Sequence, residues 1–221
     1  MRGVVRYIVS KTYKPLLVRY LSRTRGYTFR GLVLEIAPPV FHPRFFFSTK
    51  MLIRHLDSQA IEGKRFLELG AGSGLISIYA AKRGASVVAT DISPAAIHCI
   101  IENAGRNETE LEVIQSDLFN DIPLQSFDVV VINPPYYKKA VASEADLPWF
   151  CGAHGEYFEC LFSDLKKYLH RNTDVWMVLC AGCDLAMILN HAEQNHFKMV
   201  CVQTMRTLIE DNYIFKIEAI G

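Results

Sequence analysis

From residue 65 onward, the chain alternates between two kinds of segment, which differ in how their hydrophobic and polar positions are spaced. Short apolar runs of strand length occur at residues 65–69, 86–89, 111–114, 127–132 and 175–180. Apolar residues at helical spacing occupy segments between several of these runs, at residues 75–83, 94–106, 157–168 and 185–196. Strands that alternate with helices in this way form βαβ units. The pattern therefore predicts an α/β fold with a mostly parallel, Rossmann-like sheet and helices on both faces.

The two ends of this alternating region carry different patterns. Residues 199–205 and 213–220 are rich in strand formers, and Asp211-Asn212 between them is a turn signal. This spacing predicts a C-terminal antiparallel hairpin. Upstream, residues 32–36 predict a short strand, and Thr49 is a candidate cap for a helix that carries Met51, Leu52, Ile53 and Leu56.

Composition places the chain among soluble globular proteins, with 221 residues, half of them hydrophobic and 21% charged. No apolar run approaches the roughly 20 residues that span a bilayer, and no secretory signal is present, so we expect no membrane partner. Cys180 and Cys183 form the one Cys-x-x-Cys motif, but its spacing to the next histidine, His191, is too short for a zinc finger. We expect free thiols, no metal and a reducing, cytoplasmic location.

The net charge of +1 hides an uneven distribution. Residues 1–30 contain eight Lys and Arg and no acidic residue, which leaves a net charge of –7 for residues 31–221. Aromatic side chains, including Tyr27 and Phe29, are interleaved with these cations. We interpret residues 1–30 as a basic arm that contacts nucleic acid and residues 31–221 as the folded domain. Two alternatives are an amphipathic helix whose tyrosines pack on the domain and an organellar presequence.

The first strand of the alternating region ends in a glycine-rich turn. Glu68 precedes glycines at positions 70, 72 and 74, directly before the predicted helix. Such glycines allow a tight turn and a close approach of a ligand to the backbone. A dinucleotide fingerprint needs its third glycine at position 75, which is leucine here. The spacing therefore indicates a smaller adenosyl ligand and argues against a nicotinamide-dependent dehydrogenase.

Acidic residues follow the next two strands. Asp91 ends the second strand, where a carboxylate can accept hydrogen bonds from both hydroxyls of a ribose. Its alternative role is a helix cap, for which Ser93 is better placed. Asp117 follows the third strand and could accept from an adenine amino group, with Leu118 or Phe119 covering the ring. A plain turn aspartate is the alternative there.

Asn133-Pro134-Pro135-Tyr136 directly follows the apolar strand at residues 127–132. Neither proline has an N–H group and both fix φ, so the Asn133 side-chain oxygen and the Pro134 carbonyl can converge as acceptors. Two convergent acceptors suit a planar –NH2 group, and Tyr136 offers an aromatic face for stacking. The alternative is a proline-rich turn without a catalytic role.

These motifs together resemble the class I S-adenosylmethionine-dependent methyltransferases, in particular the branch that methylates planar nitrogens: release-factor glutamine methyltransferases and small methyltransferases of RNA or DNA base amines. The resemblance implies a seven-stranded sheet whose last strands are reversed. It implies that S-adenosyl-L-methionine is the cofactor. The candidate cofactor-binding residues are Glu68, Gly70, Ala71, Gly72, Gly74, Asp91, Ile92, Asp117, Leu118 and Asn133, and the candidate catalytic residues are Asn133, Pro134, Pro135 and Tyr136.

The expected substrate is a macromolecule. The basic arm favours an RNA base amine slightly over a protein glutamine, and a catalytically silent cofactor-binding subunit is a third hypothesis. The release-factor enzymes carry a separate N-terminal helical domain, whereas about 30 basic residues precede the first predicted strand here. By the same resemblance, residues 41–49 correspond to a segment that covers the cofactor, with core packing of their aromatic triplet as the alternative. Residues 149–156 correspond to a substrate-facing loop, without individual roles assigned.

Overall fold

A computed structural model describes residues 20–207 and 210–220 of the chain, and most of the predicted basic arm, residues 1–19, lies outside this range. The described strands are β1 (Arg25–Phe29), β2 (Leu32–Ile36), β3 (Arg65–Leu69), β4 (Ser86–Asp91), β5 (Glu112–Gln115), β6 (Phe127–Ile132), β7 (Leu169–Cys180), β8 (Phe197–Arg206) and β9 (Asp211–Ala219). The described α-helices from residue 47 onward are α1 (Phe47–Leu56), α2 (Leu75–Lys82), α3 (Pro94–Arg106), α4 (Glu156–Leu165) and α5 (Leu185–Gln194).

The main sheet has seven strands in the order β5-β4-β3-β6-β7-β9-β8. The pairs from β5 to β7 are parallel, whereas β9 runs antiparallel to both β7 and β8. The sequence prediction of a mostly parallel sheet with a C-terminal antiparallel hairpin is therefore confirmed. Because parallel strands end at one edge, the segments that follow β3, β4, β5 and β6 meet there.

Alternation along the strands builds a core on each face of the sheet. In β6, Val130 and Ile132 belong to the cluster that includes α4 and α5, while Val129 and Val131 belong to the cluster that includes α1 and α2. All four of these side chains are buried. A strand covered on both faces is apolar at consecutive positions, which is why residues 127–132 show no polar alternation.

The small hairpin of β1 and β2 packs on helix α3 through two asparagines. Asn103 Oδ1 accepts from the Glu35 N–H at 2.8 Å, and its Nδ2 donates to the Glu35 carbonyl at 3.1 Å. Asn107, one turn later, makes the same pair of bonds to Val33 at 2.9 and 2.7 Å. The two amide groups thus act as a partner strand for one edge of β2 and satisfy its part-buried backbone groups at Val33 and Glu35.

Several local predictions need correction. Helix α1 begins at Phe47, and Thr49 is buried inside it without capping, because Phe46 occupies the capping position with extended backbone. Strand β7 begins at Leu169, six residues earlier than the apolar run suggested. Residues 25–29 of the predicted arm form β1, and Tyr27 and Phe29 pack against the core. Among the described residues, no helix has the length and apolar character needed to cross a membrane.

Candidate active site

A cavity of about 340 Å³ lies at the carboxyl edge of the sheet, where β3, β4 and β6 end. Its wall contains every candidate cofactor-binding and catalytic residue except Gly74, and Phe119, the alternative to Leu118, does not line it either. The glycine turn after β3, the acids after β4 and β5, and the Asn133–Tyr136 segment after β6 all face this one space. The topology therefore brings together motifs that are separated by up to 68 residues in the chain.

Glycine is required in the turn after β3 by backbone conformation. Gly70, Gly72 and Gly74 have φ values of 70°, 54° and 77°, in the region that side chains rarely adopt. Gly74 has a second constraint, since a Cβ there would lie 3.3 Å from the Ile100 Cα. Gly74 thus allows α2 to pack closely on α3 and does not line the cavity, which differs from its predicted place among the cofactor-binding residues.

Asp91 connects the glycine turn to the end of β4. Its Oδ2 accepts from the Gly72 N–H at 2.9 Å and its Oδ1 accepts from the Ser93 N–H at 3.0 Å. Burial raises the pKa of Asp91, and these backbone bonds oppose the rise. Ser93, not Asp91, caps helix α3, because its Oγ accepts from the Ala96 N–H. Each carboxylate oxygen of Asp91 retains a lone pair for a ligand hydroxyl.

Glu68 lies beneath the same turn and is fully enclosed. Burial raises the pKa of its carboxyl to about 8, and a hydrogen bond from the Ser77 hydroxyl opposes part of this rise. The side chain is therefore largely neutral at pH 7, and it anchors the start of α2 to the end of β3 without adding charge.

Asp117 and Leu118 follow β5 at the opposite end of the cavity. The Asp117 side chain is exposed and has no hydrogen-bond partner among the described residues, so its oxygens are available to a donor. Tyr157, at the start of α4, lines the cavity beside them; burial raises the pKa of Tyr157, and Asp91 and Asp117 add to the rise. Tyr157 was not predicted, because nothing in its sequence separates it from the apolar face of a helix.

Asn133 is held by its neighbour in the motif. The Tyr136 hydroxyl donates to Asn133 Oδ1 at 2.7 Å, and Pro134 between them is buried. In this orientation of the amide, Oδ1 accepts from the Tyr136 hydroxyl and the Nδ2 group makes no part of the contact. The stacking face predicted for Tyr136 stays a prediction, while the structure gives its hydroxyl an orienting role.

Three aromatic rings form the rim of the cavity. Phe41 and Phe46 have ring centroids 4.4 Å apart, and Trp149 lies 5.6 and 5.2 Å from them. Phe41 lines the cavity directly, and Trp149 accepts the Tyr137 N–H through its carbonyl at 2.8 Å. The segments 41–49 and 149–156 therefore meet over the site, a contact that their aromatic content alone could not reveal.

The residues present fit S-adenosylmethionine. Asp91 offers carboxylate oxygens for the two ribose hydroxyls, and Asp117 offers an acceptor for the adenine amino group. The turn at Gly70 and Gly72 leaves space at the backbone, since a Cβ at Gly70 would meet nothing within 4 Å. These roles of individual residues remain predictions.

Comparison with known proteins agrees with this geometry. The family model for the methyltransferase small domain matches residues 37–204. A ribosomal protein L11 methyltransferase from Thermosipho melanesiensis is 34% identical over 185 residues, covering 79% of this chain and 71% of that protein. A putative protein N5-glutamine methyltransferase from Methanocaldococcus jannaschii is 38% identical over 107 residues, covering 48% of this chain and 52% of that protein. This second alignment thus spans about half of its relative.

Solved structures share the fold at lower identity. A ribosomal protein L11 methylase from Lactobacillus delbrueckii subsp. bulgaricus superposes with a TM-score of 0.63 at 22% identity, covering 84% of each chain. A chain of the E. cuniculi Mtq2–Trm112 complex gives a TM-score of 0.63 at 23% identity, covering 81% of this chain and 98% of that one. The chain therefore belongs to the methyltransferase small domain family, with the class I fold whose cofactor is S-adenosylmethionine.

Proposed function

We propose that this protein transfers the methyl group of S-adenosylmethionine to a planar –NH2 group of a macromolecule. The observation that carries the proposal is that Asn133 and Pro134 line the same cavity as Gly70, Gly72 and Asp91. Acceptors for a target amine and the residues that fit the cofactor thus share one enclosed space. A silent cofactor-binding subunit has no need of these acceptors, which argues against that alternative.

The chain's own residues supply alignment and polarity. When bound, the sulfonium of the cofactor supplies an activated methyl group. An amide or base amine is a poor nucleophile because its lone pair is delocalised. Hydrogen bonds from its N–H groups to Asn133 Oδ1 and the Pro134 carbonyl favour the pyramidal nitrogen and the positive charge that develops on it. The proton can leave after transfer, so no strong general base is needed.

Tyr136 keeps the acceptor in place during this step. Its hydroxyl occupies one lone pair of Asn133 Oδ1 and leaves the second for the substrate. Burial raises the pKa of Tyr136 well above its usual range, so the hydroxyl remains a donor at neutral and mildly alkaline pH. Asn133 therefore presents its oxygen, rather than its NH2 group, to the target.

Among macromolecules we favour RNA, because of a surface that we call the basic face: Arg44, Phe47, Lys50 and Arg54. Phe47 is 46% exposed although it is a large apolar side chain. None of the three cations has an ion-pair partner among the described residues. Burial lowers the pKa of Lys50, and repulsion from Arg44 and Arg54 lowers it further. Uncompensated cations beside an exposed aromatic ring suit phosphates and an unstacked base.

The basic face lies beside the cavity. Thr49, on the same helix α1, lines the cavity wall, and so do Pro39 and Phe41 just before that helix. A nucleic acid strand on the basic face would therefore pass the entrance. As part of this proposal we keep residues 1–30 as a basic segment ahead of a domain at 31–221, with residues 25–29 of that segment folded as β1. We also propose a cytoplasmic location, since all six cysteines are free.

A protein glutamine is the second candidate. Its side-chain amide offers the same two N–H donors in one plane, so Asn133 and Pro134 would suit it equally. The relative from M. jannaschii bears the name of such an enzyme. The two substrates differ in what surrounds the –NH2 group, and the basic face supports the preference for RNA.

The test is transfer of tritiated methyl groups into total RNA and total protein from a methylation-deficient lysate. We compare the wild type with Arg44→Glu/Arg54→Glu and with the control Arg171→Glu/Lys198→Glu, which changes the same charge near the starts of β7 and β8, at the opposite edge of the sheet. We expect label in RNA, and a loss of RNA affinity in the first variant alone, with the log–log salt slope reduced by about two. Label confined to protein, equal in both variants, would overturn the RNA preference.

A further inference from the structure

The motif Cys180-Ala181-Gly182-Cys183 has no part in methyl transfer, yet it stands at the same edge of the sheet as the active site. Cys180 ends β7, the neighbour of β6, and Cys183 precedes Asp184, which caps helix α5. The two Sγ atoms lie 3.6 Å apart, and the Cys180 N–H donates to Cys183 Sγ at 3.3 Å. The turn thus folds back so that both sulfurs meet.

The two thiols are chemically different. The contact with the Cys180 sulfur lowers the pKa of the Cys183 thiol, and the backbone N–H of Cys180, which donates to Cys183 Sγ, adds to this effect. The same contact between the sulfurs, together with burial, raises the pKa of Cys180. Cys180 is 1% exposed, whereas Cys183 is partly exposed. One sulfur is thus partly accessible with a lowered thiol pKa, and the other lies shielded in contact with it, which is the arrangement of an attacking and a resolving cysteine.

A structural metal does not account for the pair. Within residues 20–207 and 210–220 there is no group of three or more His, Cys, Asp or Glu that could hold a metal ion. His191 and His196, the downstream histidines, therefore do not complete a set of ligands around these sulfurs. A tetrahedral zinc site needs four ligands.

We propose that Cys180 and Cys183 are a redox modification site that low-molecular-weight disulfides oxidise to an intramolecular disulfide. The Cys183 thiolate attacks one sulfur of the oxidant and releases the first thiol. The Cys180 thiol then loses its proton and attacks the mixed disulfide at Cys183, which releases the second thiol. Two S–H bonds are replaced by one S–S bond, and the oxidant takes up both electrons and both protons.

This site is connected to the active-site cavity. A disulfide shortens the distance between the two sulfurs from 3.6 Å to about 2.05 Å, so together they must move by about 1.5 Å. Cys180 is fixed by the pairing of β7 with Asn212 of β9, so the movement falls on Cys183. Next to Cys183, Asp184 contacts Lys138 at 3.2 Å, two residues beyond Tyr136. Both sulfurs are also close enough to Tyr136 to add to the rise of its pKa.

The oxidised protein is therefore expected to position its acceptor substrate less well, while the cofactor residues after β3 and β4 stay in place. A displacement of about 1 Å in substrate-positioning groups can lower turnover by up to 10²-fold. This consequence for activity rests on the proposed methyltransferase function, whereas formation of the disulfide does not.

The experiment uses the full-length protein in glutathione redox buffers, followed by acid quench, maleimide alkylation and peptide mass measurement. Trypsin releases residues 172–198 as one peptide that contains Cys180 and Cys183 and no other cysteine. We expect this peptide to lose both maleimide adducts and two hydrogens in oxidising buffer and to regain them with dithiothreitol. Peptides with the exposed Cys160 and Cys201 report general oxidation. The Cys183→Ser variant must fail to form the product.

Two results would overturn the redox site itself. In the first, both thiols of this peptide are still alkylated although Cys160 and Cys201 have been oxidised. In the second, a stable glutathione adduct persists on Cys183. The connection to the cavity is tested separately by methyl transfer into lysate RNA and protein and by calorimetry with S-adenosylhomocysteine. We expect methyl transfer to be roughly tenfold lower in the oxidised form, while the affinity for S-adenosylhomocysteine stays unchanged. Equal transfer in both redox forms would refute the connection between the disulfide and the cavity. If the disulfide forms but neither redox form transfers methyl groups, the result would count against the methyltransferase proposal instead.

Discussion

The Tyr136 hydroxyl donates a 2.7 Å hydrogen bond to Oδ1 of Asn133. This bond lies within one four-residue motif and links its first and last side chains across two prolines. Pro134 and Pro135 fix the backbone between them, so the hydroxyl meets the amide oxygen at little entropic cost. Residues of the motif itself thus orient the side-chain oxygen of Asn133 toward the cavity.

Removing the Tyr136 hydroxyl tests this orienting role. Tyr136→Phe keeps the ring and its packing but frees the Asn133 amide to rotate. We expect kcat to fall by about tenfold, with cofactor affinity unchanged, because the lost bond positions a group that acts on the transition state. Steady-state kinetics and calorimetry with S-adenosylhomocysteine measure the two quantities. Unchanged kcat would mean that the prolines alone hold the amide.

Glu68 gives a prediction about pH and stability. Its pKa is raised from 4.5 to about 8 by burial, so it takes up a proton on folding at pH values between these limits. The unfolded chain binds fewer protons in that window, and stability therefore decreases as pH rises from about 4.5 to about 8. Glu68→Gln keeps an acceptor for Ser77 and never ionises. Its stability should therefore lack the part of the decrease with pH that Glu68 causes in the wild type.

We expect the free energy of unfolding of Glu68→Gln to increase, relative to that of the wild type, by a few kcal/mol between about pH 5 and pH 8. Urea unfolding of the cofactor-free protein at several pH values measures it, and subtraction of the wild type removes the effect of other groups. A difference that does not change with pH would show that Glu68 is ionised in the folded state.

Asn103 and Asn107 provide a matched pair on helix α3. Both hold β2, but only Asn103 also donates to the Ser73 carbonyl of the glycine turn, at 3.0 Å. Replacement of either residue by alanine removes two hydrogen bonds to part-buried backbone groups of β2 and should lower the free energy of unfolding by about 1–3 kcal/mol. We expect only Asn103→Ala to weaken S-adenosylhomocysteine binding as well. Equal binding by the two variants would show that the turn holds its shape without Asn103.

Much of this architecture could be predicted from local pattern. The apolar run at 127–132, interrupted only by Asp128, indicated a buried strand, and Pro94 with Ser93 before it marked the start of α3. The placement of Asp91, Asp117 and Asn133 around one cavity followed from the rule that parallel strands end at a common edge. These inferences needed only periodicity, turn chemistry and topology.

The rest depended on contacts between residues far apart in the chain. Asn103 and Glu35 are 68 positions apart, and an asparagine inside a helix gives no sign that it will pair with a strand edge. Thr49 matched a capping pattern, but tertiary packing buried it inside α1 instead. Gly74 matched the cofactor motif, yet its nearest neighbour is Ile100 of another helix. Such roles are set by packing, which local sequence does not encode.

The central claim is that Asn133 acts on the transition state of methyl transfer, and substitution by alanine tests it most directly. The measurement compares kcat with S-adenosylhomocysteine affinity in the wild type and in Asn133→Ala, with urea unfolding to verify the fold. We predict that kcat falls by about 10²–10³-fold while the affinity changes by less than about twofold. A loss of cofactor affinity equal to the loss of turnover would contradict the account, because Asn133 would then be a cofactor ligand or a structural cap.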